Sequence, residues 1–70
     1  MTGSEFLRRL AKLAKRNGLT SSYHGGPGKG SHGRVFYGDR FTTLKDPKKE
    51  LGKGLLKNMC SQLDIELGDL

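Results

Sequence analysis

The sequence predicts an α+β fold of order α-β-β-β-α, with two helices packed on one face of a three-stranded antiparallel sheet. Three observations carry that expectation. Apolar residues recur at helical spacing near both ends of the chain. Between them lie short stretches rich in β-branched and aromatic residues. A Gly38-Asp39 pair separates the last two of those stretches as a hairpin turn would. Two amphipathic helices and one small sheet bury their apolar sides most simply in two layers.

The first helix spans Met1 to Arg16. Thr2 followed by Glu5 forms a capping box, and Met1 and Phe6 are placed as its hydrophobic staple. Phe6, Leu7, Leu10, Leu13 and Ala14 follow the i, i+3, i+4, i+7 rule, with Arg8, Arg9, Lys12, Lys15 and Arg16 on the other side. Asn17-Gly18 ends the helix. Leu19 to Tyr23 is a short strand candidate. Residues 25–33 hold five glycines and a proline, and therefore a loop. Arg34 to Tyr37 and Arg40 to Leu44 flank Gly38-Asp39, whose leading glycine suits a type II′ turn. That register sets Tyr37 opposite Arg40, Phe36 opposite Phe41 and Val35 opposite Thr42. Phe36 and Phe41 compete with Val35, Tyr37 and Leu44 for the buried face, and the pattern leaves both open. Asp46-Pro47 leads into the final helix as cap and first residue. Gly52 and Gly54 weaken its first turn and shift its firm start toward Gly54. Leu55, Leu56, Met59 and Leu63 form its apolar stripe, extended by Leu51. This order is the layout of a double-stranded-RNA-binding domain, which fixes topology and not function.

Seventy residues suffice for one domain, 1–70, with an acidic tail over residues 64–70. A chain this short buries only ~60% of its unfolded surface, too little for a nucleotide-binding sheet or a two-domain cleft. No apolar run approaches the ~20 residues that cross a bilayer, and Glu5, Arg8 and Arg9 break any secretory signal. Cys60 is the only cysteine, so no internal disulfide and no zinc cluster arises, and a free thiol fits the cytoplasm. Residues 8–57 carry all thirteen basic groups and three acids, a balance of +10, whereas Asp64, Glu66 and Asp69 make the tail acidic. A concentrated positive field on a small body favours a polyanion, because neutralised phosphates release their counterions. A solvated basic surface is the plainer alternative.

The glycine-rich stretch fails the phosphate-loop pattern twice. Tyr23 stands where the first glycine belongs, and Gly30 stands where a hydroxyl residue belongs. Glycyl amides beside Lys29 still suit a phosphate. His32 has Ser31, Lys29 and Arg34 as sequence neighbours. RNA can be cut by its own 2′-hydroxyl if one group near neutral pKa takes a proton and cations offset phosphate charge, with no metal or cofactor. Neighbouring cations lower a histidine's pKa and favour its neutral, base-competent form. A surface loop histidine is the ordinary alternative for His32, and His24 is taken as a loop residue.

At Lys29-Gly30-Ser31-His32 the chain resembles HicA-type toxins of bacterial type II toxin–antitoxin systems. The resemblance also rests on the first helix ending at Asn17-Gly18, on the hairpin, and on Asp46-Pro47-Lys48-Lys49-Glu50-Leu51-Gly52-Lys53-Gly54-Leu55-Leu56-Lys57, which is similar to the family's lead into its last helix. Gly33 stands where many members carry a histidine or a basic residue, and Leu55-Leu56 where Thr-Leu is common. The resemblance covers residues 4–65 and implies a metal-independent endoribonuclease acting on mRNA, with His32 catalytic. It further implies a monomer when free and a hetero-oligomer with a HicB-type antitoxin that blocks the histidine. In that setting Lys29 and Arg34 neutralise phosphate, Gly30 admits the backbone, Ser31 donates a hydrogen bond and Lys53 contacts RNA. Two rivals use the same charge. A non-catalytic RNA-binding module would engage RNA through Lys48, Lys49 and Lys53. A small interaction protein would present its basic face to an acidic protein.

Overall fold

A computed structural model describes residues 1–25 and 33–70. Its elements are α1 (Gly3–Arg16), β1 (Ser21–His24), β2 (Gly33–Tyr37), β3 (Arg40–Leu44), α2 (Lys53–Gln62) and a closing 3-10 turn (Leu67–Asp69). The strands pair antiparallel in the order β1-β2-β3, and both helices pack on one face of the sheet. The α-β-β-β-α arrangement expected from the pattern is the one found.

Thr2 caps α1, its hydroxyl accepting the Glu5 N–H at 3.2 Å. The Glu5 carboxylate turns forward along the helix to Arg9, at 2.7 Å. At the other end the Leu19 N–H donates to the Ala14 carbonyl at 2.7 Å and the Gly18 N–H to the Lys15 carbonyl at 3.3 Å, with Gly18 at φ 72°. That is the Schellman pattern. The Asn17 side-chain amide then donates to the Tyr37 hydroxyl at 2.9 Å and ties the helix end to β2.

The hairpin has the expected register, with Phe36 opposite Phe41, Val35 opposite Thr42 and Tyr37 opposite Arg40. Gly38 sits at φ 62° and Asp39 at negative φ, as a type II′ turn requires. The face left open by the sequence is settled: Val35, Tyr37, Thr42 and Leu44 are buried beneath the helices, and Phe41 is exposed. Thr42 is tolerated there because its hydroxyl donates to the Gln62 amide oxygen of α2.

Glu5 turns to Arg9 in place of closing the capping box, β1 starts at Ser21 and not at Leu19, and four further local expectations differ from the structure. Gly33 belongs to β2 and not to the loop. The Tyr23 side chain crosses it to donate to the Leu44 carbonyl at 3.2 Å. A Cβ at position 33 would stand 2.3 Å from the Tyr23 hydroxyl, so only glycine lets β1 reach β3 across β2. His24 is the last residue of β1 and not a loop residue.

Asp46-Pro47 does not start α2, which begins at Lys53 with Gly52 as its cap. Residues 46–51 instead lie across the start of α1. Gly3 and Ser4 donate to the Lys49 and Pro47 carbonyls at 3.1 and 2.8 Å, and Leu51 donates to the Met1 carbonyl at 2.8 Å. These bonds consume the backbone groups a longer helix would need, and the two glycines lower the cost of ending it early. Asp46 caps a single turn, accepting the Lys48 N–H at 2.9 Å.

The fourth difference is the α2 stripe. Leu55 is exposed, and Leu56, Met59, Cys60 and Leu63 are the buried set. Cys60 occupies the i+4 position from Leu56, and burial, with Asp69 adding to it, pushes its thiol pKa up. Together with Phe6, Leu10, Leu13, Ala14 and Leu51 these side chains and those of the sheet make one core. The acidic tail folds back onto it. Asp64 takes φ 59°, the Ile65 N–H donates to the Cys60 carbonyl at 2.9 Å, and Ile65, Leu67 and Leu70 pack against the core. Asp64 thus fills a position usually given to glycine, which aspartate tolerates better than most residues.

Candidate nucleic-acid interface

Of the expected site residues, Lys29, Gly30, Ser31 and His32 lie outside the described residues. Arg34 and Lys53 lie within them, and both side chains are exposed. Strand pairing locates them. His24 at the end of β1 pairs with Arg34 near the start of β2, and Gly33 pairs with Leu44 at the end of β3. β1 therefore leaves the sheet, and β2 joins it, at the end from which Lys45 to Leu51 depart. That segment hydrogen-bonds to the start of α1, and α2 begins two residues later. Arg34, Lys45, Lys48, Lys49 and Lys53 consequently gather at one end of the molecule, and Asp46 and Glu50 are the acids of that segment. Glu50 is engaged by the Met1 amino group, which leaves the local field positive.

Every described lysine and arginine is exposed. Among the described residues two of them stand within 4 Å of a carboxylate: Arg9 with Glu5 and, at 3.9 Å, Arg40 with Asp64. A second basic surface runs along α1, where Arg8, Arg9, Lys12 and Arg16 line a cleft of about 320 Å³ with the chain end. Arg9 and Arg16 donate there to the Leu70 and Asp69 carbonyls at 3.4 and 3.5 Å. The tail thus occupies part of the α1 face, whereas the end holding Arg34 and Lys53 carries no such cover among the described residues.

The sheet face turned away from the helices carries what sequence reasoning missed. Two rows cross it: Ser22, Phe36 and Phe41, then His24, Arg34 and Thr43. The diagonals are occupied. His24 meets Phe36 edge-to-face at 5.6 Å between centroids, and the Arg34 guanidinium lies 5.2 Å from the Phe41 ring centre. The two phenylalanine rings are 5.9 Å apart at 40°. Alternation along Arg34-Val35-Phe36-Tyr37 does pair Arg34 with Phe36 on one side. Nothing in the pattern, however, tells which side the helices cover.

Comparison with known proteins adds nothing to these observations: no protein-family model, no curated protein and no solved structure matches the chain. No helix among the described residues is long and apolar enough to cross a membrane.

Proposed function

We propose that this protein is a metal-independent endoribonuclease, the toxin half of a cytoplasmic toxin–antitoxin pair of the HicA type. The observation that carries the proposal is the Gly30-Ser31-His32 triplet running directly into β2 of an α-β-β-β-α domain whose described cations all face solvent. In the proposed reaction the 2′-oxygen of RNA bonds to the adjacent phosphorus as the bond from phosphorus to the 5′-oxygen breaks. His32 takes the 2′-hydroxyl proton, and the leaving 5′-oxygen acquires one. Lys29 and Arg34 offset the charge that builds on the phosphate, Gly30 admits the strand, and Ser31 donates to it. Lys53, with Lys48 and Lys49, extends the phosphate contacts at the same end of the fold. A HicB-type antitoxin is the proposed partner and covers His32 in the complex, and the free toxin is a monomer.

The rivals separate on turnover. With a chelator present, the purified protein should fragment labelled single-stranded mRNA, and the rate should fall steeply between low and moderate salt as phosphate contacts are screened. RNA that is bound but stays intact would favour the non-catalytic module, for which the lysines around the start of α2 are suited. Neither binding nor cleavage would favour a protein–protein role.

A further inference from the structure

Apart from Arg34, the open face of the sheet takes no part in the chemistry above, yet its composition is selective. Its six positions hold two phenylalanines, one histidine, one arginine and two hydroxyl residues, and no carboxylate. A strand face left to water ordinarily carries a polar residue at each outward position. Here Phe41 is 49% exposed, and it remains so although the same sheet has a covered face that takes Val35, Tyr37 and Leu44. Leaving that much aromatic surface in water forgoes the free energy its burial on the covered face would return.

We infer that this face is a stacking platform for the unpaired bases of RNA. Phe36 and Phe41 each offer a ring, at a separation of 5.9 Å. Arg34 supplies the positive charge that matches the phosphate joining stacked nucleotides, its guanidinium held 5.2 Å from the Phe41 ring centre. His24 braces Phe36 from the β1 side. Every base presents a π-face, so such a platform grips unpaired strands of any sequence and rejects duplexes, whose bases are already stacked. The chain's net charge of +6 and the absence of a carboxylate on this face favour RNA over an acidic protein, which would seek several cations here and find one. The inference rests on RNA being the substrate, as proposed above. It adds the substrate class: unpaired RNA, held on the sheet beside the strand end that follows His32.

The test uses the full chain and a fluorescent 2′-O-methyl RNA of mixed sequence, which lacks the attacking hydroxyl and stays intact, both unpaired and as a duplex. Wild type should bind the unpaired strand more tightly than the duplex. Phe41→Ala and Phe36→Ala should each weaken the unpaired strand roughly 5- to 100-fold and leave duplex affinity within about twofold, while Phe41→Tyr retains tight binding. Independently, the ring protons of both phenylalanines in the wild-type protein should shift upfield as the unpaired strand is added, a readout that does not depend on any variant folding. Unchanged affinity in folded alanine variants, or ring protons that do not move, would overturn the platform while leaving ribonuclease activity on unmodified RNA to stand. Wild type that binds neither probe and cuts no RNA would overturn the platform and the ribonuclease proposal together.

Discussion

Replacing His32 by alanine should lower the rate of RNA cleavage by roughly 10²- to 10⁴-fold, the usual contribution of a positioned general base. The thermal midpoint should stay within a few degrees of the parent. RNA affinity should change little, because the cations that hold phosphate are elsewhere: Lys29 before the triplet, Arg34 after it, and Lys53 at the start of α2. Lys53→Gln should show the converse, weaker binding and a shallower salt dependence with a smaller effect on the rate at saturating RNA, whereas Arg34→Gln, which also removes charge facing the reacting phosphate, should lower both. Cleavage kinetics at saturating and limiting RNA separate the two kinds of loss. A His32→Ala protein that cuts at the parent rate would remove His32 from the reaction. Loss of cleavage with equal loss of affinity would make it a binding group instead.

The second large effect concerns the core. Phe6 is fully buried between α1 and the rest of the domain, and Phe6→Ala should destabilise by about 3–5 kcal/mol. A 70-residue domain has only ~4–10 kcal/mol in total, so the variant should melt some 15–30 °C lower, or be unfolded at room temperature. Phe41→Ala removes the same side chain from the exposed face and should shift the melting midpoint by only a few degrees. Thermal melts followed by circular dichroism compare the two directly. A small shift for Phe6 would contradict its burial in the core, and a large one for Phe41 would contradict the exposure of its side of the sheet.

Phe36 and Phe41 mark where the sequence stopped being informative. α1 was legible because several local signals agree: the Thr2 cap, the 3.6-residue period and the Asn17-Gly18 stop. The hairpin register was legible because Gly38 fixes it, whichever side is buried. The choice of face is a tertiary matter. Thr42 lies on the covered face with a partner twenty residues further on, its hydroxyl donating to the Gln62 amide oxygen. The start of α2 was misplaced for a similar reason. Asp46-Pro47 is a sound local signal for a helix start, and it is overridden by backbone bonds to Met1, Gly3 and Ser4 at the far end of the chain.

The candidate site was only partly legible. The basic character and the exposure of Arg34 and Lys53 follow from composition. That topology gathers Arg34 with Lys45, Lys48, Lys49 and Lys53 at one end does not, because it depends on how residues 46–51 lie across α1. His24 was left outside the strand for a local reason: β1 is four residues long and polar at three of them, too short for alternation to mark its last residue.

RNA that cuts itself through its own 2′-hydroxyl on this domain needs that hydroxyl at the cleavage position. The most direct measurement compares an end-labelled RNA with the same strand carrying one 2′-deoxy nucleotide at the mapped cleavage position, both incubated with the protein and a chelator. The RNA should be cut to a 2′,3′-cyclic phosphate, and the deoxy-substituted strand should stay intact. Equal cleavage of both strands, or of neither, would contradict cleavage through the 2′-hydroxyl.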